Sequence, residues 1–462
     1  MNTKEKIFLI SLGCAKNLVD SEYMLGLLKS EGFDLCTTIE GAGIAVINTC
    51  GFIQAAVRET VDTIFEVVNL KKQGKLKKIA VVGCFVQRYG YKLRREIPEV
   101  DGWLGTGEIY RIAELLQDNS LYGQAPFFIG RPTYLPSDIM PRVQTTPFYS
   151  AYLKIAEGCS RKCSYCTIPS LTGPFRSRSP ESLINEVKEM IDHGVKEINL
   201  VAQDVSLYGK DLEEDITVED LLERLVLING IKWIRLLYCH PDGVSDRLLA
   251  LIECEKSICP YLDVPIQHIN KNILKAMGRN SDGWDPWGLI ERIRSGRRRI
   301  SIRTSLMVGF PGETEVIFDE LRDFVKTACF DILGVFVYSR EKGTPAARLE
   351  SMVECKVAKG RKDEIMTIQA DISKSNNQRI VGRIVPVLIE GPSPETNLLL
   401  RGRTSRMAPD VDGQVLINKG DGVVGEIMPA LINEAYAYDL VGEIRNELTS
   451  DDLDFTGYNG TA

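Results

Sequence analysis

Histidine is scarce in this chain, with three residues among 462. Chemistry that relies on imidazole as its general acid or base near neutral pH therefore has few places to sit. Basic residues are not in excess either. Lys and Arg number 56 against 63 Asp and Glu, a net charge of −7, which argues against a generic nucleic-acid binder. No apolar run approaches the length that spans a membrane. Lys4 and Lys6 precede an apolar run that is too short for a secretory signal and ends at Cys14. The expectation is a cytoplasmic protein with no membrane contact. Twelve cysteines without an export signal point to reduced thiols used for metal or chemistry, not to a disulfide framework. A chain of this length exceeds one ordinary core, so two to four domains are expected.

What is present is a cysteine loop. Residues 157–178 read E-G-C-S-R-K-C-S-Y-C-T-I-P-S-L-T-G-P-F-R-S-R, with Cys159, Cys163 and Cys166 spaced C-x-x-x-C-x-x-C. A zinc knuckle would want a second pair of ligands, and none follows. Three thiolates this close can bind three irons of a 4Fe–4S cube and leave the fourth iron open. An open metal position is where a substrate or cofactor binds.

That spacing, with Tyr165 just before the last cysteine, resembles the radical S-adenosylmethionine superfamily. The resemblance implies that S-adenosylmethionine chelates the open iron through its amino and carboxylate groups. It also implies that an electron from the cluster cleaves the sulfonium, and that the resulting 5′-deoxyadenosyl radical abstracts hydrogen from an unactivated C–H bond.

The first domain is expected at 1–121. Three apolar, β-branched runs (7–13, 44–49 and 79–83) are each followed by a helix-like segment, which predicts parallel strands with crossover helices. Cys14, Cys50 and Cys84 follow the three runs. Strands of one parallel sheet end on the same edge, where ligands of open α/β sheets bind. Three thiols distant in sequence should therefore meet and form a second iron–sulfur site, again one ligand short. One cysteine ending a strand would read as a small buried hydrophobe; three of three read as a site. Asn17 and Asp20 are expected to cap a helix over 21–30. Gly51 and Gly83 should let backbone approach an inorganic core. Cys36 falls outside this pattern and reads as structural.

Residues 122–149, broken by Pro126, Pro132, Pro136, Pro141 and Pro147, read as a linker or strapped connection. The second domain, 150–377, repeats a strand–helix unit six times, with strands over 151–156, 197–202, 233–238, 261–267, 301–309 and 332–339. Pro180 stands at a first-turn position of the helix after the cysteine loop. Six such units predict a partial (β/α)6 barrel whose site lies at the C-terminal ends of the strands. Gln203, Asp204 and Tyr208, Cys239 and His240, Gln267 and His268, and the loop Gly309-Phe310-Pro311-Gly312-Glu313-Thr314 all fall at such ends. Gly309 and Gly312 could admit backbone to a ligand, beside amides of the following helix. Tyr165, Gln203, Gly309 and Gly312 are the candidate cofactor contacts. For His240 and His268, packing and function weigh equally. Cys254, Cys259, Cys329 and Cys355 show no metal spacing. The run Arg294, Arg297, Arg298, Arg299 and Arg303 reads as a solvated helix end rather than a phosphate or acidic-partner site.

The third domain, 378–445, alternates short strands with turns and predicts a small antiparallel β-barrel, with strands over 380–390, 397–403, 413–418, 422–428 and, less regularly, 436–442. Residues 446–462 are acidic and polar and read as a disordered tail. The fold class is α/β throughout its first two domains.

This order of parts resembles the methylthiotransferase family over nearly the whole chain: a three-cysteine α/β domain, a radical S-adenosylmethionine domain, then a TRAM module. One branch of that family modifies adenosine in tRNA. The other modifies the β-carbon of an aspartate in the small-subunit ribosomal protein S twelve. S-L-G-C-A-K-N-L-V-D-S-E (11–22), G-P-F-R-S-R (173–178), A-Q-D (202–204), Y-G (208–209), W-I-R-L-L-Y (233–238) and G-R-T-S (402–405) are similar to the second branch. Met407 and the insert-like stretch 281–287 depart from it, at positions that bear on substrate docking. The resemblance implies two 4Fe–4S clusters. One, on Cys159, Cys163 and Cys166, would cleave S-adenosylmethionine. The other, on Cys14, Cys50 and Cys84, would supply or carry sulfur that a second S-adenosylmethionine methylates. The partners implied are the ribosomal protein and an electron donor. TRAM modules often bind RNA, but here seven Lys and Arg face nine Asp and Glu between 378 and 445. Phosphate contacts need cations, so RNA binding is not expected and a basic protein partner fits better. A tRNA-adenosine methylthiotransferase and a non-catalytic iron–sulfur carrier are the alternatives.

Overall fold

The computed structural model describes residues 5–117, 125–137, 140–279 and 285–445. The expected tail at 446–462, the expected first-domain end at residue 121 and most of the insert-like stretch lie outside these residues. Of that stretch, Asp285 caps the helix Pro286–Arg294 and Trp287 packs edge-on against Phe324.

The first sheet joins β1 (Lys6–Ser11), β2 (Asp34–Leu35), β3 (Ile44–Thr49), β4 (Lys78–Gly83), β5 (Gly102–Leu104) and β6 (Phe127–Phe128). All pairings are parallel, in the order β2-β1-β3-β4-β5-β6. β3 is buried at every position, as a parallel strand covered on both faces must be. Alternate residues of β3 and β4 serve opposite faces. Ala45, Ile47 and Val81 pack with Ile64, Val67 and Val68 of α2 (Gln54–Lys72). Ile44, Val46 and Val82 pack with Met24 and Leu28 of α1 (Ala15–Ser30). α1 begins six residues before the expected 21–30. Gly13, at φ 95°, turns the chain directly from β1 into the helix. Asn17 and Asp20 are therefore inside α1 and cap nothing. Cys14 stands at the cap position without a side-chain cap bond. β6 lies within the segment expected as a connection.

The second sheet joins β7 (Ser150–Lys154), β10 (Glu197–Val201), β11 (Trp233–Leu236), β12 (Ile258–Asp263), β13 (Ser301–Val308) and β14 (Ile332–Val337). β8 (Ala156–Glu157) and β9 (Arg176–Ser177) form a small pair around the cysteine loop. The six strands are all parallel, ordered β14-β13-β12-β11-β10-β7, with β14 and β7 as open edges. The expected fourth strand is displaced. It ends at Asp263, and Gln267 sits in the left-handed region at φ 71° with only an isolated bridge to Leu306. One face buries Leu153, Ile198, Leu200, Ile234 and Leu306 beneath the helices. The other carries Lys154, Arg235, Tyr261, Asp263 and Arg303. Helix Pro180–Asp192 starts as expected, with Ser179 as its cap and Pro180 at the first position.

The third sheet is a closed barrel of β15 (Ile384–Ser393), β16 (Thr396–Thr404), β17 (Val415–Lys419), β18 (Ile427–Ala435) and β19 (Leu440–Ile444), ordered β15-β16-β17-β19-β18. Its β17–β19 junction is parallel and the other four are antiparallel. Residues 422–426, expected as strand, form the turn before β18, where Gly425 takes φ 81°. Among the described residues no helix is long and apolar enough to cross a membrane.

The barrel docks on the polar face of the second sheet through a buried ion network. Glu197, 1% exposed, accepts from Arg403 (Nη2, 2.7 Å) and Arg235 (Nη2, 3.0 Å). Arg235 also donates to the Ser405 carbonyl, Tyr152 to Asp410, and Tyr261 to Asp412. Burial alone would raise the Glu197 pKa, but Arg403 and Arg235 hold it at about 2. Removing one partner of a buried pair strands the other charge. Arg403→Ala should therefore cost about 3–5 kcal/mol in urea unfolding. The folded pKa lies below the usual 4.5. The stabilisation linked to this carboxylate is thus complete above that pH and lost as pH falls toward 2. Glu197→Gln should flatten that acid limb of stability, read as melting temperature against pH.

Candidate active site

β1, β3 and β4 end side by side, and this brings Cys14, Cys50 and Cys84 to one edge. A methyl group placed on Gly13 would lie 3.0 Å from Cys50 Cβ and 3.4 Å from its Sγ, and one on Gly51 would lie 2.8 Å from the Cys84 carbonyl oxygen. The two glycines let the three strand ends close up. Gly83 serves the same packing: a methyl there would stand 2.5 Å from Asn48 Oδ1. Burial, then the neighbouring Cys14 and Cys50, push the Cys84 thiol well up. Cys36 packs at the margin of the apolar core of this domain.

The second trio sits on a loop anchored from four sides. Cys159 N–H donates to Gly173, and Ser164 N–H to Met277. Arg161, between the first two cysteines, donates Nε to Asp204 (2.8 Å) and forks onto both oxygens of Asp242 (2.7 and 2.8 Å). Arg279 reaches Cys163 Sγ at 3.6 Å and the Pro265 carbonyl. Tyr165 packs among Ile273, Met277, Phe310 and Tyr338. Burial lifts Cys159, and burial with its neighbour thiols lifts Cys166 to about 12.

The two trios face each other. Thr167, next to Cys166, donates to the Phe52 carbonyl, two residues past Cys50, at 3.3 Å. Lys154, 1% exposed, lies between Asp20 of α1 and Glu157 of the cysteine loop and pairs with both. Burial raises Asp20, Lys154 lowers it and Glu157 raises it again, leaving its pKa at about 7. Glu341, past β14, accepts from Arg88 Nη2 (2.6 Å), Gln54 N (3.1 Å) and Ser339 Oγ (2.6 Å). Arg88 also binds the Gly51 carbonyl at 2.7 Å. Arg142, on the connecting strap, bridges Glu22 of α1 (Nε, 2.9 Å) and Glu186 (2.6 Å). Asp20 and Glu22 of the 11–22 motif are thus braces to the rest of the chain, while Ser21 between them bonds Ser11 and Asn48 within the first domain.

The remaining candidates divide. Gln203 is half-buried at the end of β10. A methyl on Gly309 would meet Ala358 Cβ at 2.5 Å, so its bareness serves helix packing, while Gly312 has only Ile273 near, at 4.0 Å. Asp204 and His240 support the cysteine loop: Asp204 accepts from His240 N–H and Arg161, and the His240 ring meets Asp242. His268 is fully buried, and its Nδ1 accepts from the amides of Ile269 and Asn270. Apart from exposed Arg297, the arginine run is not a solvated helix end. Arg294 and Arg299 bind Asp331, Arg298 caps the carbonyls of Ile252, Glu255 and Ile258, and Arg303 binds Asp263. Met407 is buried in the barrel core and donates no surface to docking. Cys239 and Cys259 are buried; Cys254, Cys329 and Cys355 are exposed. Sequence reading missed Lys16, Lys154, Arg88 and Glu341. The signal for Lys154 was a lysine within the apolar strand S-A-Y-L-K.

No three His, Cys, Asp or Glu side chains among the described residues converge on one point as a single metal ion would need. A cubane cluster asks for something else, because each thiolate binds a separate iron. Two sets of three thiols, the first with glycines admitting close approach, fit that demand.

The open parallel sheet and its cysteine loop are those of a radical S-adenosylmethionine protein. Three family descriptions match: the uncharacterized protein family UPF0004 over residues 6–105, the Radical SAM superfamily over 153–325, and the TRAM domain over 381–444. The chain is 47% identical over 442 residues to the ribosomal protein uS12 methylthiotransferase RimO of Pelobacter propionicus, covering 96% of this chain and 98% of that protein. It is 47% identical to the RimO of Geobacter sulfurreducens (96% and 99% covered) and 44% to that of Myxococcus xanthus (96% and 92%). The chain belongs to the RimO family of methylthiotransferases. Among solved structures, the radical S-adenosylmethionine methyltransferase TsrM from Kitasatospora setae, with cobalamin and a [4Fe-4S] cluster bound, has the same fold at 15% identity. The TM-score is 0.55, and 74% of each chain is covered.

Two outcomes follow from the geometry. Changing Cys163 or Cys50 to Ala, one at a time, should each remove about four of roughly eight irons, measured by iron and sulfide analysis of anaerobically reconstituted protein. Lys154→Met leaves Asp20 and Glu157, both half-buried, without their cation and should lower stability by about 1–3 kcal/mol in denaturant titration.

Proposed function

We propose that this chain adds a methylthio group to the β-carbon of an aspartate in ribosomal protein uS12, as the names of its relatives suggest. The observation that carries this reading is the pair of three-thiol sets facing one another across a domain junction. Cys159, Cys163 and Cys166 would hold one 4Fe–4S cluster with S-adenosylmethionine, and Cys14, Cys50 and Cys84 a second, where sulfur is carried. With S-adenosylmethionine bound, the first cluster supplies the radical that removes hydrogen from the target carbon.

The protein's own work is placement. Arg161 and Arg279 fix the cysteine loop. Asp20, Lys154 and Glu157 set the separation of the two loops, and the Arg88–Glu341 pair ties the junction together. Such orientation is where a radical enzyme spends its structure. An external donor supplies the electron. The acidic balance of the barrel favours a basic protein partner over RNA, and the reading places the enzyme in the cytoplasm.

Incubating reconstituted enzyme with uS12, S-adenosylmethionine and a reductant should give a product heavier by one methylthio group in place of hydrogen. Cys163→Ala should end S-adenosylmethionine cleavage, and Cys50→Ala should end sulfur transfer while cleavage persists. A modified nucleoside from tRNA with uS12 unchanged would sink the proposal.

A further inference from the structure

Lys16 lies two residues after Cys14, in the first turn of α1. Its ammonium crosses to the second domain and rests over the Tyr238 ring, 3.5 Å from the centroid. Tyr238 follows β11 at the C-terminal end of the sheet. It is held in the left-handed region, at φ 65°. Its N–H donates to Asp263 Oδ2 at 3.1 Å and its carbonyl accepts from Val205 N–H at 3.0 Å. Such a backbone costs energy and persists only where the surroundings enforce it. The ring is therefore a built platform beneath the ammonium.

An ammonium carries three donors, and an aromatic face offers attraction but no lone pair for them. Four other cations of this junction have carboxylates: Lys154 has Asp20 and Glu157, Arg88 has Glu341, Arg142 has Glu22, and Arg161 has Asp204 and Asp242. Among the described residues Lys16 makes no ion pair. Asp263, the acid bound by the Tyr238 N–H, is also taken by Arg303 at 3.2 Å. Lys16 is thus a half-buried cation at the junction of the two domains, two residues from Cys14, with its donors open to an anion.

We propose that Lys16 receives the side-chain carboxylate of the substrate aspartate. This rests on the function proposed above, in which the reacting β-carbon is bonded to that carboxylate. Gripping the carboxylate there orients the carbon between the two sets. It also selects aspartate over its amide and over an uncharged nucleobase.

The test is the ratio of Kd values for uS12 carrying Asp and uS12 carrying Asn at the modified position, measured on reconstituted enzyme with S-adenosylmethionine. The parent enzyme should prefer Asp by about tenfold or more, the size of a hydrogen bond to a charged group. Lys16→Met should bring the ratio to about one, and Lys16→Arg should keep part of the preference. Iron content and melting temperature report whether each variant folds. If Lys16→Met does not fold, Lys16→Gln is read in its place, and the parent's own ratio needs no variant. A parent ratio of one overturns the proposal. So does a parental ratio in a folded Lys16→Met; if the redox potential of the N-terminal cluster then shifts, Lys16 balances cluster charge instead. Absence of any methylthio product on uS12 with the parent enzyme overturns the functional reading instead, whatever the ratio.

Discussion

A lysine with almost no exposed surface, Lys154, holds the two halves of the site in register. It stands at the end of β7 and pairs with one carboxylate from each side, Asp20 from α1 and Glu157 from the cysteine loop. A charge this deep is tolerated only when paired, so a shift of the first domain would part Asp20 from its cation and leave Lys154 with Glu157 alone. Because α1 starts at the first cysteine and Glu157 precedes the second trio by two residues, a constraint on these acids is a constraint on the thiols.

The same logic recurs around the junction. Glu22 and Tyr23 of α1 reach Arg142 and Glu186, and Arg178 joins them from the far end of the cysteine loop. Glu341 ties the loop after β3 to the end of β14 through Arg88. At the opposite end of the second sheet, Glu197 binds the barrel through Arg403. These are charged contacts in buried places, costly to make and more costly to break singly. They give a geometry to surfaces whose apolar packing alone would leave room to slide.

Much of this was legible in the residues. The strand-end rule placed Cys14, Cys50 and Cys84 on one edge because β1, β3 and β4 are long apolar runs whose ends can be read. β2, β5 and β6 have two or three residues each, too few for any period to show. The start of α1 was read too late because Gly13 alone, through its left-handed turn, moves it to the cysteine. The arginine run was misjudged because its partners, Asp331 and three carbonyls, come from segments remote in sequence. The parallel junction of the barrel lies between β17 and β19, strands that are not neighbours in the chain, and no local pattern announces it. Lysine and arginine inside apolar strands, at 154 and 235, were the visible clue to the polar face, since a charge in such a run must have a buried partner.

The two cysteine sets differ in how they come into being. Cys159, Cys163 and Cys166 fall within eight consecutive residues, so any conformer of the chain, nascent or loosened, keeps them close. Cys14, Cys50 and Cys84 are neighbours only while three strands are laid in register. Whatever the second set holds can be loaded early, whereas the first offers a complete cradle only after its domain has folded. Maturation of this protein therefore has a direction, and local melting of the first sheet would release one cargo while the other stays bound.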